Sequence, residues 1–299
     1  MLAQTFHTFS SSAMGNAASL ALHVAVGGFF VAAVLAVAAL LLPNRVKMLT
    51  ADIAGGLATL ALTVFFVARF AEAGTDPLGS MFEVVALSAL FLAATYFIAS
   101  RVKPMPGVGA FAYPALAVIF LVDYLLAPTF VRPGHHGPEE PLLVAHIVLT
   151  ILSYGVYCLA ATAALMYLLQ ERQLKLHREP RYMRSFPSLE SLRKLVNTCV
   201  SIGLPLLTIG FALGFTAFAR DDWGSIPQNP KILSSLVLWL VLTGILVGKL
   251  SGLLHGRRHF YWVLVGFMLV ILTYVGLGLL SFGRGQAANS QSANLAGGR

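Results

Sequence analysis

The sequence predicts an all-α fold, a polytopic membrane helix bundle with about eight transmembrane helices and both termini outside. The 299-residue chain is 58% hydrophobic, and only 11% of its residues are charged, against roughly 25% in soluble domains. Its apolar residues form eight stretches, most of them close to the length of about 20 residues that crosses a bilayer. This composition excludes a water-soluble globular protein, and two cysteines are too few for a disulfide-stapled fold.

Charged residues and clusters of glycine and proline bound these stretches, which give the predicted helices in chain order. No connection between them is long enough for a folded soluble domain, so residues 19–283 are expected to form one membrane domain. Residues 1–18 would precede it as an outer segment. Residues 284–299, rich in Gly, Ala, Ser, Asn and Gln, would follow it as a flexible tail. The predicted helices span residues 19–42, 50–71, 82–100, 109–126, 141–170, 192–219, 232–254 and 260–282.

The distribution of basic residues predicts the orientation. Of the 20 Lys and Arg residues, 14 fall in alternate connections, within residues 45–47, 101–103, 172–194 and 249–258. Loops rich in Lys and Arg stay in the cytoplasm, so these connections are cytoplasmic and both termini lie outside. Membrane topology thus accounts for the formal charge of +8, which indicates a lipid bilayer rather than a nucleic acid as partner. A multi-pass protein of the bacterial inner (plasma) membrane is expected.

Ionisable residues inside hydrocarbon are costly and commonly functional, and in this chain most of them share one depth. With the orientation above, five helices place a titratable residue in the outer leaflet, and the outer loops add further candidates. Only Asp52 lies near the inner face. A ligand site that opens to the outside is therefore expected. The residues at the outer level are His23, Arg69, Glu83, Asp123 and His146, with His135, His136 and Trp223 in the loops.

The fifth predicted helix carries a polar stripe. His146, Thr150, Ser153 and Tyr157 follow one another at spacings of four, three and four residues, which places them on one helix face. In an otherwise apolar helix this face must meet protein or a cavity rather than lipid. The stripe is explained either by interhelical hydrogen bonding, with the histidine a satisfied polar residue, or by ligand binding at the histidine.

Four segments of the chain carry motifs in a characteristic order. Residues 143–175 read LVAHIVLTILSYGVYCLAATAALMYLLQERQLK. The others are MFE at residues 81–83, FPSLESLRKL at 186–195, and GRR at 256–258 followed by GF at 266–267 and TYVG at 273–276. In their order and spacing these segments resemble the cytochrome c assembly family of CcsA, ResC and HemX-like membrane proteins. The resemblance covers about residues 80–283.

The resemblance implies a heme site on the outer side of the membrane. In that family an outward-facing loop with the pattern WGxxWxWDPKE lies beneath a heme, and flanking histidines ligate the iron. Residues 223–231 read WGSIPQNPK, one residue shorter and without the later tryptophans. His146 matches the histidine ahead of the loop, whereas SFGR at residues 281–284 replaces the histidine-bearing ending. In these departures the chain is more similar to the HemX-like branch.

The cofactor implied by the resemblance is a non-covalent, b-type heme. His146 would ligate its iron, with the other ring nitrogen bonded to a partner such as Thr150 or a carboxylate. His23, His135 or His136 would supply a second axial ligand, or the iron would be five-coordinate. Cations at Arg69, Arg220 or Lys231 would meet the propionates. The full candidate set for cofactor binding is His146, Trp223, His23, Arg69, Glu83, Arg220, Lys231 and Tyr154, with His146 and His23 as the metal ligands.

Two functions remain open at this point. The first is a heme-handling protein of cytochrome c maturation, at most one component of a heme-lyase system. Because the acceptor cysteine would belong to the partner cytochrome, Cys158 and Cys199 are expected to be packing residues. The alternative is a non-enzymatic accessory or regulatory subunit that keeps the fold, binds no heme and assists a membrane partner protein. A solute transporter has less support, because no inverted repeat is evident.

Overall fold

The computed structural model describes residues 16–42, 45–73, 81–102, 107–130, 141–177, 186–221 and 230–273. These residues form eight α-helices, each corresponding to one predicted stretch, so the predicted all-α bundle is confirmed. The helices are α1 (Asn16–Leu41), α2 (Met48–Ala73), α3 (Met81–Val102), α4 (Gly109–Phe130), α5 (Pro141–Lys175), α6 (Leu189–Asp221), α7 (Pro230–Leu250) and α8 (residues 257–273).

Six of these helices, α1, α2, α3, α5, α6 and α7, are long and apolar enough to cross a membrane. Helix α4 contains a shorter apolar stretch, Gly109–Leu121. Large apolar side chains stand exposed along the outer faces of the bundle, for example Leu57, Leu60 and Val67 on α2. Extended exposed apolar surfaces of this kind mark contact with lipid. The chain is therefore a multi-pass membrane protein.

Helices α5 and α6 are longer than the spans predicted for them. They contain 35 and 33 residues, more than the roughly 20 residues needed for the hydrocarbon layer. Salt bridges one turn apart stabilise their cytoplasmic extensions, from Lys175 to Glu171 at 2.8 Å and from Arg193 to Glu190 at 2.7 Å. Charged pairs at this spacing stabilise a helix where it continues into water. The predicted spans are shorter because they were drawn from the apolar stretches alone.

Helix α7 ends before the predicted boundary at residue 254. Gly252 has a positive φ of 78°, and the N–H of Leu254 donates to the carbonyl of Gly248 at 2.8 Å. The chain turns through residues 251–256, and α8 begins directly after Gly256, whose φ is 57°. The apolar composition continues through this turn. Glycine, which adopts positive φ without strain, nevertheless ends the helix.

Helix α5 has a central place in the bundle. Helix α1 packs on α2 and α4, α3 packs on α4 and α5, and α6 packs on α5 and α7. The most extensive interface joins α5 to α6. Helix α8 also contacts α5, where the rings of Tyr167 and Phe260 stack with centroids 3.8 Å apart. The neighbours of α5 therefore decide what surrounds His146.

A polar cluster joins α2, α3 and α4 near the inner face. Tyr96 and Tyr113 each donate a hydroxyl hydrogen bond of 2.9 Å to Oδ1 of Asp52. Their rings meet edge to face with centroids 5.2 Å apart, and both rings are buried. Asp52, the one ionisable residue expected near the inner face, is thus held by hydrogen bonds from two other helices.

Helix α5 approaches the backbone of α3 at Gly155. A Cβ at this position would lie 3.1 Å from the amide nitrogen of Leu92 and 3.2 Å from the carbonyl carbon of Phe91. Small residues allow such close contact between membrane helices, whose association depends on van der Waals packing. The glycine therefore sets the distance between α3 and α5.

We predict that Gly155→Ala lowers the unfolding free energy by about 1–3 kcal/mol, because the added methyl group would push two helix backbones apart. The matched control is Gly244→Ala on α7, where a Cβ would meet no atom within 4 Å. In this control variant the higher helix propensity of alanine should raise the unfolding free energy by up to about 1 kcal/mol. Unfolding in detergent micelles measures both variants, and equal effects would contradict the close approach of α3 and α5.

Candidate functional site at the outer ends of α5 and α6

His146 lies near the outer end of α5, and its ring faces α6. Nδ1 is 2.6 Å from the carbonyl oxygen of Gly210. Because a carbonyl only accepts hydrogen bonds, the Nδ1–H is the donor. In the neutral ring the lone pair is then on Nε2. The backbone of the neighbouring helix thereby fixes both the orientation and the tautomer of this imidazole.

Helix α6 makes room for His146 with glycines. A Cβ at Gly214 would overlap with the imidazole ring, and one at Gly210 would lie 2.7 Å from Oγ1 of Thr150. Gly210 and Gly214 form a GxxxG pair, the spacing at which membrane helices approach one another closely. The imidazole can reach the Gly210 carbonyl because no side chain stands between the two helices.

The polar stripe of α5 faces protein, as predicted. Ser153 donates from Oγ to the carbonyl of Gly203 at 2.8 Å. Tyr157 packs on the same glycine, where a Cβ would lie 2.9 Å from its Cε2. The sequence suggested Thr150 as a hydrogen-bond partner of the imidazole, but the partner is the carbonyl of Gly210. Oγ1 of Thr150 is buried and has no hydrogen-bond partner in the described part of the chain. Interhelical bonding therefore accounts for much of the stripe.

An aromatic group that the sequence analysis did not single out lies on the adjacent side of α6. The Phe211 ring is stacked with Trp239 of α7, with centroids 6.2 Å and planes 14° apart, and with Phe215 at 6.3 Å and 30°. Trp239 donates from Nε1 to Oγ1 of Thr208 at 3.0 Å, which fixes the indole. Each phenylalanine directly follows one of the two glycines that flank His146. The group therefore offers half-buried aromatic surface on α6 and the neighbouring α7.

Arg69 and Glu83 form a salt bridge between α2 and α3 at the outer level. Oε1 of Glu83 is 2.7 Å from Nη2 and 3.1 Å from Nε of Arg69. The two side chains are only 17% and 7% exposed, so the pair is largely removed from water. Since the carboxylate offsets the guanidinium charge, an anionic ligand at Arg69 would have to compete with Glu83.

Helix register separates this ion pair from the histidine. Gly155 touches Leu92. Gly155 follows His146 by nine residues on α5, and Leu92 follows Glu83 by nine residues on α3. The topology makes α3 and α5 parallel, so Glu83 and His146 share one depth, as predicted. Nine residues correspond to two and a half helical turns. The α5 face that meets α3 is therefore opposite the face that carries His146.

His23 occupies the exposed face of α1. Its Nδ1 is 2.6 Å from the carbonyl oxygen of Ser19 in the preceding turn, and its neighbours Leu20 and Val24 are 67% and 51% exposed. Helix α1 packs on α2 and α4, whereas His146 faces α6. His23 and His146 therefore face different neighbours, and the role of His23 as a second ligand of the iron stays a prediction.

For most of the other candidate site residues, the structure describes only the backbone or nothing. Tyr154 is half-buried and packs against the apolar core. Asp123, Arg220 and Lys231 lie in the helical backbone of α4, α6 and α7, but their side chains are outside the described part of the chain. Trp223, His135 and His136 lie outside the described residues altogether. Their proposed roles remain predictions.

Two signals in the sequence could have located more of this site. The GxxxG spacing of Gly210 and Gly214 predicts a close helix contact, and Trp239 is a tryptophan in the middle of a predicted helix rather than at an interface. The expected packing role of the cysteines is confirmed, because Cys158 and Cys199 are buried and carry free thiols.

Fold and site together define a class of protein: a multi-pass helical membrane protein with a histidine held between its two longest helices near the outer face. Residues 29–283 match the family model described as cytochrome C assembly protein. The chain therefore belongs to the cytochrome c assembly protein family, and the resemblance drawn from its four segments is confirmed.

Curated relatives agree with this assignment over most of the chain. The cytochrome c biogenesis protein CcsA of Synechococcus sp. (strain CC9902) is 26% identical over 269 residues, which cover 81% of this chain and 86% of that protein. The CcsA proteins of Guillardia theta and Porphyra purpurea are each 26% identical over 248 and 273 residues. Those matches cover 76% of this chain and 81% and 83% of the respective relatives.

We predict that Arg69→Gln and Glu83→Gln each lower the unfolding free energy by about 3 kcal/mol, because each removes one member of a largely buried ion pair. The double variant should cost less than the sum of the two, since neither charge remains. Denaturant unfolding in mixed micelles measures the unfolding free energies of the two single variants and the double variant, which together form a double-mutant cycle. The control is Glu190→Gln, whose pair with Arg193 is half exposed and should contribute no more than about 0.5 kcal/mol. Additive effects at Arg69 and Glu83 would refute the ion pair.

Proposed function

We propose that this protein handles heme at the outer side of the membrane during cytochrome c assembly, with His146 as an axial ligand of the iron. Membership of the cytochrome c assembly family supports the general role. The relatives named CcsA support placing that role in cytochrome c biogenesis. Heme binding, and ligation of the iron by His146, go beyond what family membership supports.

The hydrogen bond from Nδ1 of His146 to the Gly210 carbonyl is the observation that carries the proposal. Histidines that ligate metals commonly donate their other ring N–H to a carbonyl or carboxylate, which fixes the ring and raises its basicity. This arrangement leaves Nε2 as the nitrogen able to bind iron. A bound heme would supply an iron that accepts an imidazole as axial ligand.

Aromatic rings lie on the two helices beside α5. Phe211 and Phe215 directly follow the glycines of α6 that contact α5, and Phe211 is stacked with Trp239 of α7, so these rings could contact a flat apolar group. In the part of the chain that the structure describes, no three His, Cys, Asp or Glu side chains converge on one point. A single imidazole would be sufficient to hold heme by its iron, so a cluster of several ligating side chains is not required.

The propionates would be met by cations near the outer ends of α6 and α7. Arg220 lies in the last turn of α6 and Lys231 in the first turn of α7, on either side of the connection that contains Trp223. Arg69 is a weaker candidate, because it pairs with Glu83 and lies beyond α5 from the histidine. Charge-assisted bonds from arginine or lysine are the usual partners of carboxylates.

The proposed location is the bacterial inner membrane, and the proposed partner is another membrane protein of cytochrome c assembly. A second candidate function is an accessory subunit that binds no heme. The observation that favours it is the use of His146 and Ser153 in hydrogen bonds between α5 and α6, which gives the polar stripe a structural role without any ligand.

The decisive experiment compares the heme content and the absorption spectrum of purified His146→Ala with those of Ser153→Ala. Both variants remove an α5–α6 hydrogen bond, but only the first removes the proposed ligand. We expect the Soret band to be lost in His146→Ala and retained in Ser153→Ala, which should lose only about 1 kcal/mol of stability. Heme-free preparations of the unsubstituted protein that carry a stable partner would favour the accessory subunit instead.

We further predict that Gly214→Ala weakens heme binding about tenfold and shifts the Soret maximum, because the new methyl group would displace the imidazole from its hydrogen bond. Gly244→Ala serves as the control, since its Cβ would meet no atom within 4 Å. Heme titration of the detergent-purified protein measures the affinity. An unchanged affinity and spectrum in a folded Gly214→Ala protein would contradict a ligand role for the histidine at this position.

A further inference from the structure

The turn between α7 and α8 collects basic side chains at the cytoplasmic end of the bundle. Lys249 lies in the last turn of α7, and Arg257 and Arg258 open α8. Gly252 and Gly256, both with positive φ, close the turn between them. The charge distribution places this turn at the inner membrane surface.

Few acidic groups compensate these cations. Glu171 at the end of α5 binds Arg257, with Oε2 3.1 Å from Nε, and it also binds Lys175 at 2.8 Å. Within the described residues, Lys249 and Arg258 form no salt bridge. The turn therefore carries two cations that no carboxylate of the described structure neutralises.

The start of α8 adds to this positive potential. The N-terminal end of a helix bears a partial positive charge from unpaired N–H groups and favours an anion. The first turn of α8 instead contains Arg257, Arg258 and His259, with Gly256 directly before it. No side chain in the described part of the chain caps these N–H groups. Basic residues at this end of a helix are unfavourable unless an anion offsets them.

His259, in the first turn of α8, is buried and has no hydrogen-bond partner within the described residues. It is 5% exposed, and neither Nδ1 nor Nε2 is bonded within the described residues. The N–H of Leu254 donates to the carbonyl of Gly248 at 2.8 Å, so the turn places the end of α7, which carries Lys249, next to the residues that lead into α8. Buried polar atoms without partners are uncommon in folded proteins and indicate a ligand or water that satisfies them.

An apolar, lipid-facing surface borders the turn. Trp262 and Tyr261, one turn into α8, are 47% and 50% exposed, and Arg257 lies over the Tyr261 ring at 5.9 Å. Leu250 and Leu253 are still more exposed. Exposed tryptophan and tyrosine at this level are typical of the lipid headgroup region. The anion that fits this place therefore carries acyl chains.

We propose that the α7–α8 turn binds the phosphate headgroup of one anionic phospholipid of the inner leaflet. Lys249, Arg258 and the N–H groups of the first turn of α8 contact the phosphate, and His259 lies at the base of this site. Trp262 and Leu253 contact the glycerol and upper acyl region. The proposal is independent of heme and of His146.

Lipid titration followed by native mass spectrometry of the full chain tests the site. Phosphatidylglycerol and phosphatidylcholine are added to unsubstituted protein, to the double variant Lys249→Gln/Arg258→Gln, and to the matched control Arg45→Gln/Lys47→Gln. The control removes two exposed cations from the cytoplasmic α1–α2 connection. Each cation near the membrane surface contributes about fivefold, or about 1 kcal/mol. We expect the first phosphatidylglycerol to bind about 25-fold more weakly to the double variant and within about twofold of normal to the control.

A second measurement does not depend on small differences in folding between variants. Brominated phosphatidylglycerol should quench the fluorescence of Trp262, taken as the difference from Trp262→Phe, more strongly than brominated phosphatidylcholine does. Inorganic phosphate, added alone, should neither compete nor stabilise the protein. Equal weakening in both double variants would mean a nonspecific charge effect and overturn the proposal. Equal quenching by the two lipids, or full competition by free phosphate, would also overturn the assignment to an anionic lipid.

Discussion

The close contact between α5 and α6 is the constraint on which the candidate site depends. Polar groups inside a membrane must find partners within the protein, because hydrocarbon offers none. The glycines of α6 bring its carbonyls within reach of α5, so that His146 and Ser153 donate to Gly210 and Gly203. The same contact that satisfies these side chains also orients the imidazole. Packing and the proposed chemistry therefore have one structural origin.

Charged and polar groups elsewhere in the membrane region are mostly engaged with each other. Arg69 is neutralised by Glu83, and Asp52 accepts hydrogen bonds from Tyr96 and Tyr113. These interactions join α2, α3 and α4 at two depths and reduce the cost of burying ionisable groups. His146 differs from them because its structural bond uses only one of its two ring nitrogens, which leaves the other for a ligand.

The two membrane faces offer different chemistry. At the outer ends of α5 to α7 the described side chains include an imidazole and aromatic rings. At the inner ends of α5, α7 and α8, basic side chains outnumber the acid Glu171, and exposed aromatic residues lie beside them. The outer arrangement is the one we propose for heme, and the inner arrangement is the one we propose for an anionic lipid. Family membership supports a role in cytochrome c assembly, and each of the two ligands is tested by its own experiment.

The sequence by itself determined the helix class, the number of helices and the shared depth of the polar residues, because hydropathy and charge bias act along the chain and need no tertiary contacts. It also located the stripe of His146 and Ser153, since helical periodicity is a local property. Only the tertiary structure decided which helices are neighbours. It placed His23 on an exposed face, set Glu83 opposite His146 across α5, and gave the imidazole a backbone carbonyl as partner. Residues at equal depth can lie on different sides of a bundle, and which side each one faces depends on helix packing.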